Sequence, residues 1–458
     1  MPRFLHEGEE RVSKLTFRAS SKLPRDQRYR LSGFCINYDE GEVHLLKSLL
    51  TKQLALLSTA EYEALKGLAS STVDFTYLEQ NGLVELAERR FIVRENYDEC
   101  KEYLFLLKVM RTMRKSSDGI KHYVILPTTA CNARCTYCYE KDFVPTTMTD
   151  ETFKATVDFI DRTRSSEKIT LRWFGGEPLL TTSRIDQFCD EFTRRGISFK
   201  SNIVTNGSLL TPELAKRAWD QWNLRTAQVS LDGFRTDYEL RKRFNTPSLH
   251  NYDTVMKGIH NLVDQGVLVA LRCNYDEGNI EGLSDFVDDI LREFAGTDRI
   301  RLYFALLFQD RSKEESVDLI HRICEVEDKV AQAGVYREDV LHTEPFKTNL
   351  CIADNMESCC VIDPEGNLQN CQHLDDSHIY GNVWEGITNQ QRYDELKKEH
   401  EVDPCCQTCP FLPICTPFYR HGCLDAVLDY CRELRLAEQE NLLHRIARHE
   451  LADLLPED

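Results

Sequence analysis

Between residues 119 and 315 the sequence alternates six apolar, strand-like stretches with amphipathic helical ones, and this alternation restricts the fold more than any other feature. The stretches are 121–126, 169–174, 198–204, 227–231, 267–273 and 299–308. Phe153, Val157 and Ile160 recur at helical spacing behind Thr149, and Thr211-Pro212 opens a further helix with a capping hydroxyl and a proline in the first turn. Strands joined through helices pair in parallel, so the segment predicts a parallel α/β sheet, open or partly closed as a barrel. In such sheets ligands bind beyond the carboxyl ends of the strands. The distinctive polar residues each follow a strand: Cys131, Gly175-Gly176-Glu177-Pro178, Asn206, Asp232 and Asn274. They are expected to converge on one site.

Around this core the 458 residues leave room for further domains. Ahead of it, stretches 29–37 and 43–46 read as a hairpin about Tyr38-Asp39-Glu40-Gly41. Ser58 caps a helix carrying Tyr62, Leu65 and Leu68 on one face, and Asn81-Gly82 closes another, after which a strand pair is expected. Hairpin, helices and strands within about 100 residues match a small winged-helix-like module; the alternative is a structural extension of the next domain. The resulting division is 1–115, 116–315, a bridging segment 316–350, and a cysteine-rich region 351–458 that ends in a helix from 432 to 455.

Charge narrows the partners. Lysine and arginine number 57 against 75 acidic residues, giving −18, which argues against nucleic acid and against anionic lipid. No apolar stretch approaches the roughly 18 residues that span a bilayer, and the first 22 residues are too charged for a secretory signal, so a cytoplasmic location is expected. Eighteen cysteines in a reducing compartment then point to metal or redox chemistry rather than disulfides. Cys131, Cys135 and Cys138 follow the first strand as C-x3-C-x2-C. Three thiolates so close can wrap one iron–sulfur cluster and leave one iron open for a substrate or cofactor. A structural zinc knot is the alternative, and no fourth Cys or His stands nearby.

C-x3-C-x2-C followed by the aromatic Tyr139, at the end of the first strand of a βα run, resembles the signature of the radical S-adenosylmethionine (SAM) superfamily. The resemblance implies that SAM binds the open iron and that reduction yields a 5′-deoxyadenosyl radical. It also implies SAM contacts at Tyr139, Gly175, Gly176, Glu177, Pro178, Asn206, Ser230, Asp232, Arg272 and Asn274. The fold it implies is a partial (β/α)6 barrel.

Ten cysteines fall between Cys351 and Cys431, and their spacing resembles the SPASM extension of peptide-modifying members. Carried over, one auxiliary [4Fe–4S] cluster would take Cys351, Cys359 or Cys360, Cys371 and Cys423; the other would take Cys406, Cys409, Cys415 and Cys431. Seven residues separate Cys415 from Cys423 where three are usual, which leaves Cys423 the least secure of these ligands. Asp363-Pro364-Glu365-Gly366-Asn367 reads as a three-residue hairpin loop, and pairing outward from it sets Cys359 opposite Cys371, favouring Cys359 over Cys360. The cofactors implied are therefore SAM and three [4Fe–4S] clusters. The partners are a ribosomally made precursor peptide, with leader and core, and a low-potential electron donor such as flavodoxin or ferredoxin. The expected activity is oxidative cross-linking of that peptide through a thioether or carbon–carbon bond. A formylglycine-forming sulfatase maturase and a non-catalytic iron–sulfur sensor or peptide-binding protein are the alternatives. No residue stands out as the catalytic base.

Overall fold

The computed structural model describes residues 3–5, 23–69, 71–114, 118–141, 143–166, 168–307, 312–335, 356–372, 376–397, 402, 404–415 and 431–451. Its largest sheet begins with six strands: β1 His122–Thr128, β2 Ile169–Gly175, β3 Phe199–Thr205, β4 Leu224–Ser230, β5 Leu268–Tyr275 and β6 Ile300–Leu306. All six lie parallel in chain order, so the boundaries expected from apolar stretches hold to within a few residues. Buried on both faces, such strands read as almost continuous apolar runs, which is why they are visible in sequence.

The crossovers are helical: α1 Asp150–Thr163, α2 Thr182–Arg194, α3 Pro212–Asp220, α4 Arg235–Lys242, α5 Tyr252–Asp264 and α6 Leu283–Glu293. Thr149 and Thr211 cap α1 and α3 as their sequences suggest, each hydroxyl accepting an early backbone N–H. The apolar faces of these helices meet the sheet in one core that includes Trp173, Phe188, Phe192, Trp222 and Phe286, all fully buried.

The sheet does not stop at these six strands. β7 Cys359–Ile362 pairs in parallel with β1, and β8 Asn367–Gln369, β9 Ile379–Asn382 and β10 Gly386–Ile387 follow antiparallel, giving the order β6-β5-β4-β3-β2-β1-β7-β8-β9-β10. The β7–β8 register pairs Val361 with Gln369 and Ile362 with Leu368; β8 ends at Gln369, so Cys371 lies beyond the ladder. Gly366 takes φ 86° in the loop between them.

The N-terminal region differs from its sequence reading at two places. Stretch 29–37 is not one strand: Arg28–Leu31 pairs with Val73–Asp74 and Ile92–Arg94, whereas Cys35–Glu40 forms a hairpin with Val43–Ser48. The break is made by Glu99, whose carboxylate accepts from the Gly33 amide at 2.9 Å and from the Ser32 hydroxyl, turning the chain between the two sheets. Its hairpin turn sits at Gly41-Glu42, two residues later than expected, with Gly41 at φ 62°. After Gly82 the chain forms a helix, Val84–Glu88, and a single strand, Ile92–Arg94, rather than a strand pair. That strand finds its partner in Arg28–Leu31, far away in sequence. Ser58 caps Thr59–Leu68 in a reciprocal arrangement with Glu61.

Downstream of β6, α7 Lys313–Arg322 and α8 Cys324–Gln332 lead toward α9 Cys431–Glu450, the final helix. Leu442, Leu443, Ile446 and Ala447 of α9 pack with Ile36, Val43, Leu45 and Leu54 of the N-terminal sheet and with Phe411. The two ends of the chain thus share a core.

Candidate SAM and iron–sulfur site

Beyond Thr128 the chain forms a loop without regular structure, and neighbouring backbone holds it. Arg134 and Thr136 donate their amides to the carbonyls of Arg243 and Arg241, both at 2.9 Å, and Asn245 donates to Asn132 at 2.8 Å. Arg243, at φ 50°, ends α4 in a left-handed turn that aims the chain at this loop. Cys131, Cys135, Cys138, Gly175, Gly176, Asn206 and Ser230 line one cleft at the carboxyl ends of the strands. Strand-end placement therefore brings seven of the residues named from sequence to a common wall.

Two carboxylates lie beneath that wall. Glu177 is fully buried; its Oε1 accepts from Thr205 Oγ1 at 2.8 Å and from the Leu179 amide at 3.0 Å, and its Oε2 accepts from the Asn206 amide at 2.7 Å. It fastens the end of β2 to the end of β3 and forms floor rather than lining. Asp232 is also fully buried: its Oδ1 accepts from the Asn274 amide at 2.9 Å and side chain at 2.8 Å, and the Tyr137 hydroxyl donates to its Oδ2. Arg272 Nε reaches Asn274 Oδ1 at 2.9 Å. Asp232, Arg272 and Asn274 thus form a chain of contacts that tethers the cysteine loop through Tyr137. Tyr139 is 44% exposed beside Phe143, and buried Pro178 opens the short turn Pro178–Thr181.

Glycine is required at the turn after β2. Gly175 has φ 115°, and a Cβ there would lie 2.2 Å from the Thr128 carbonyl oxygen; at Gly176 it would lie 2.4 Å from that of Ala130. Only bare backbone lets this turn approach the start of the cysteine loop.

Burial pushes the Cys131 thiol up to about 12 and raises Cys135 and Cys138, with Cys135 acting on both of the others. Loading a cluster must release these protons. Among the described residues no group of three His, Cys, Asp or Glu side chains is disposed to grip a metal ion. The fit to a [4Fe–4S] cluster rests on the donor set, three thiols on one cleft with an open side, and on the glycine cradle beside it.

Of the C-terminal cysteines, Cys409 and Cys415 lie within electrostatic reach of both Cys406 and Cys431: burial first, then the Cys405 sulfur, pushes Cys406 up to about 12, and burial, opposed by Arg435, pushes Cys415 up to about 11. Cys359 and Cys371 are buried at the β7–β8 hairpin, and Cys371 is close enough to act on the Tyr139 hydroxyl. Cys360, on the opposite face of β7, lies in the barrel core and accepts from Tyr380 Oη at 3.4 Å. Cys351 and Cys423 lie outside the described residues.

Three residues at the site were not anticipated, two of them, Glu140 and Lys242, lining the cleft. Tyr137 is the tether just described. Glu140 has a buried Oε1 without a partner, and burial pushes its carboxyl up to about 7. Lys242 ends α4, is 4% exposed, and carries its charge into the cleft. A polar residue one turn after Tyr238 on a helix face bound for the core was the available signal for Lys242.

Residues 125–292 match the family described as the radical SAM superfamily. The chain thus carries a radical SAM domain, and that family implies a [4Fe–4S] cluster and SAM. It is 24% identical over 271 residues to an uncharacterized protein of Methanocaldococcus jannaschii, covering 58% of this chain and 90% of the relative. It is 28% identical over 239 residues to the Fe-coproporphyrin III synthase of Methanosarcina barkeri, covering 50% of this chain and 54% of that one. The chain thus spans about half the length of the second relative. Two solved structures share the fold: anSMEcpe with bound AdoMet and the Cp18Cys peptide, at TM-score 0.56 and 16% identity over 73% of this chain and 99% of that one; and Streptococcus suis SuiB bound to precursor peptide SuiA, at TM-score 0.51 and 15% identity over 88% and 98%. No described helix is long and apolar enough to cross a membrane.

Proposed function

We propose that this radical SAM enzyme installs an oxidative cross-link, a thioether or carbon–carbon bond, in a ribosomally made precursor peptide. The observation that carries the reading is the shared core between the N-terminal sheet, α9 and the segment around Cys409 and Phe411. A module packed there can hold one part of a long substrate while another part reaches the cleft. Likeness of fold to a precursor-bound enzyme over 88% of the chain supports the same reading.

Cys131, Cys135 and Cys138 would hold the [4Fe–4S] cluster, and the cleft walls at Gly175, Gly176, Asn206 and Ser230 would hold SAM. Together these groups supply hydrogen-atom abstraction after one-electron reduction. Cross-linking removes two hydrogens from the peptide, so an electron acceptor is needed as well; Cys406, Cys409, Cys415 and Cys431 would hold one, and Cys351, Cys359, Cys371 and Cys423 another. The N-terminal region would bind the leader, and a flavodoxin or ferredoxin would supply the low-potential electron.

The test is anaerobic incubation of the reconstituted chain with SAM, reductant and any short peptide found encoded beside its gene. Formation of 5′-deoxyadenosine together with a loss of two hydrogens from a leader-bearing peptide is expected. Turnover of a leaderless sulfatase-derived cysteine peptide would instead favour formylglycine formation, the second reading, which the fold shared with peptide-bound anSMEcpe keeps in view.

A further inference from the structure

Helix α4 places Tyr238 and Lys242 one turn apart, both buried. The Lys242 ammonium lines the cleft shared by Cys131, Cys135 and Cys138 and has no hydrogen-bond or carboxylate partner among the described residues. Its Nζ stands 5.9 Å from the centroid of the Tyr238 ring, at the outer limit of cation–π reach, where the ring supplies less than a counter-ion would. Of the nearby anions, Asp232 is occupied by Tyr137 and Asn274, and Glu177 by Thr205, Leu179 and Asn206. The groups that act most strongly to hold the lysine charged are Cys135, Tyr238, Asp232 and Cys131.

A largely buried ammonium with no anion in hydrogen-bond contact is a costly arrangement for a fold. Its place is fixed from both sides, because the carbonyls of Arg241 and Arg243 are the ones that accept from the cysteine loop. The missing anion is what a thiolate-ligated cluster brings. Resting on the radical SAM assignment, we infer that Lys242 is the fixed counter-charge of the cluster held by Cys131, Cys135 and Cys138, and that it favours the reduced state of that cluster.

Reduction adds one negative charge to the cluster and leaves the ammonium unchanged, so attraction in this low-dielectric cleft grows on reduction. The electron itself comes from an external one-electron donor. Lys242 is thus a positioning charge for the redox step, and it need not touch SAM.

The full chain, reconstituted anaerobically, is titrated with mediators while the reduced cluster is followed by electron paramagnetic resonance; the relevant signal is the one lost in Cys131→Ala/Cys135→Ala/Cys138→Ala. Lys242→Met keeps most of the aliphatic stem and removes the charge. It should weaken reduction about tenfold, which is about 59 mV to more negative potential for a one-electron couple, while Lys242→Arg stays near the parent. Iron per chain is measured on each variant, and SAM affinity is measured on the oxidised protein. An unchanged potential in an iron-loaded Lys242→Met overturns the inference, as does a defect confined to SAM affinity. Loss of the triplet's iron from Lys242→Met but not from Lys242→Arg supports a required cation; loss from both overturns it. Failure of the parent chain to give the triplet signal would refute the cluster assignment itself, a result distinct from any of these.

Discussion

A carboxylate with no exposed surface has to be satisfied from inside the protein, and Asp232 draws three donors from two elements: the Tyr137 hydroxyl and the amide and side chain of Asn274. Tyr137→Phe removes a hydrogen bond to a charged acceptor, worth about 1.5–3 kcal/mol. The cysteine loop should loosen while the barrel stays folded, seen as faster loss of the triplet's iron to a chelator with unchanged circular dichroism. Cys135→Ala acts more directly. It should remove about four of an expected twelve irons and abolish 5′-deoxyadenosine formation. Glu140 makes a pH-dependent contribution of the opposite kind to a paired carboxylate. Burial raises its carboxyl to about 7 from an ordinary 4.5, so the folded chain holds a proton there that the unfolded chain releases. Folding stability from this group is therefore full below about pH 4.5 and falls as pH rises to about 7. Glu140→Gln should raise the unfolding midpoint of the cluster-free chain at pH 8 and leave it nearly unchanged at pH 4.5.

At the level of elements, the turn after β2 shows how a short motif is read by its surroundings. Gly176→Ala would drive a methyl to 2.4 Å from two backbone oxygens, those of Thr129 and Ala130. Neither can move without displacing the loop that carries Cys131. A loss of SAM affinity of tenfold or more is expected by equilibrium dialysis, with the fold kept, because the contact lies at the cleft rather than in the core. The six barrel strands and the caps at Thr149 and Thr211 were legible because each depends on a few adjacent residues. The Asp363–Asn367 turn was legible for the same reason: Asp363 Oδ1 accepts the amides of Glu365 and Asn367 at 2.9 Å and fixes the β7–β8 register locally. The break at Ser32-Gly33 was not, since the carboxylate that makes it is Glu99.

Over the whole molecule, α9 is held to the N-terminal sheet by apolar contact and to α8 by charge. Arg445 of α9 is buried and reaches Glu327 and Asp328 of α8. Arg445→Ala would remove the buried cation that faces Glu327 and Asp328 and should lower stability by more than about 1 kcal/mol. Leu443→Ala, in the core shared with Val43 and Leu45, should cost about 2–5 kcal/mol. Both substitutions should raise amide exchange in Val43–Ser48 well before exchange rises in β1–β6, because the barrel core does not include these residues. Equal protection of the two regions in Leu443→Ala would show that the ends are held by something else.

Periodicity and spacing alone sufficed for the six parallel strands, the C-x3-C-x2-C loop and the strand ends expected to converge on one site. Each of these follows from periodicity or spacing over a few residues, and strand-end placement is a property of the fold class rather than of particular contacts. Which strand-end groups line the cleft and which lie beneath it depends on contacts between distant elements. Glu177 and Asp232 are drawn inward because buried amides and a tyrosine hydroxyl from other elements need acceptors there, and Lys242 faces the thiols because α4 ends in a left-handed turn against their loop. Such choices depend on groups brought together across tens of residues of chain, where burial makes an unmet hydrogen bond or charge too costly to leave.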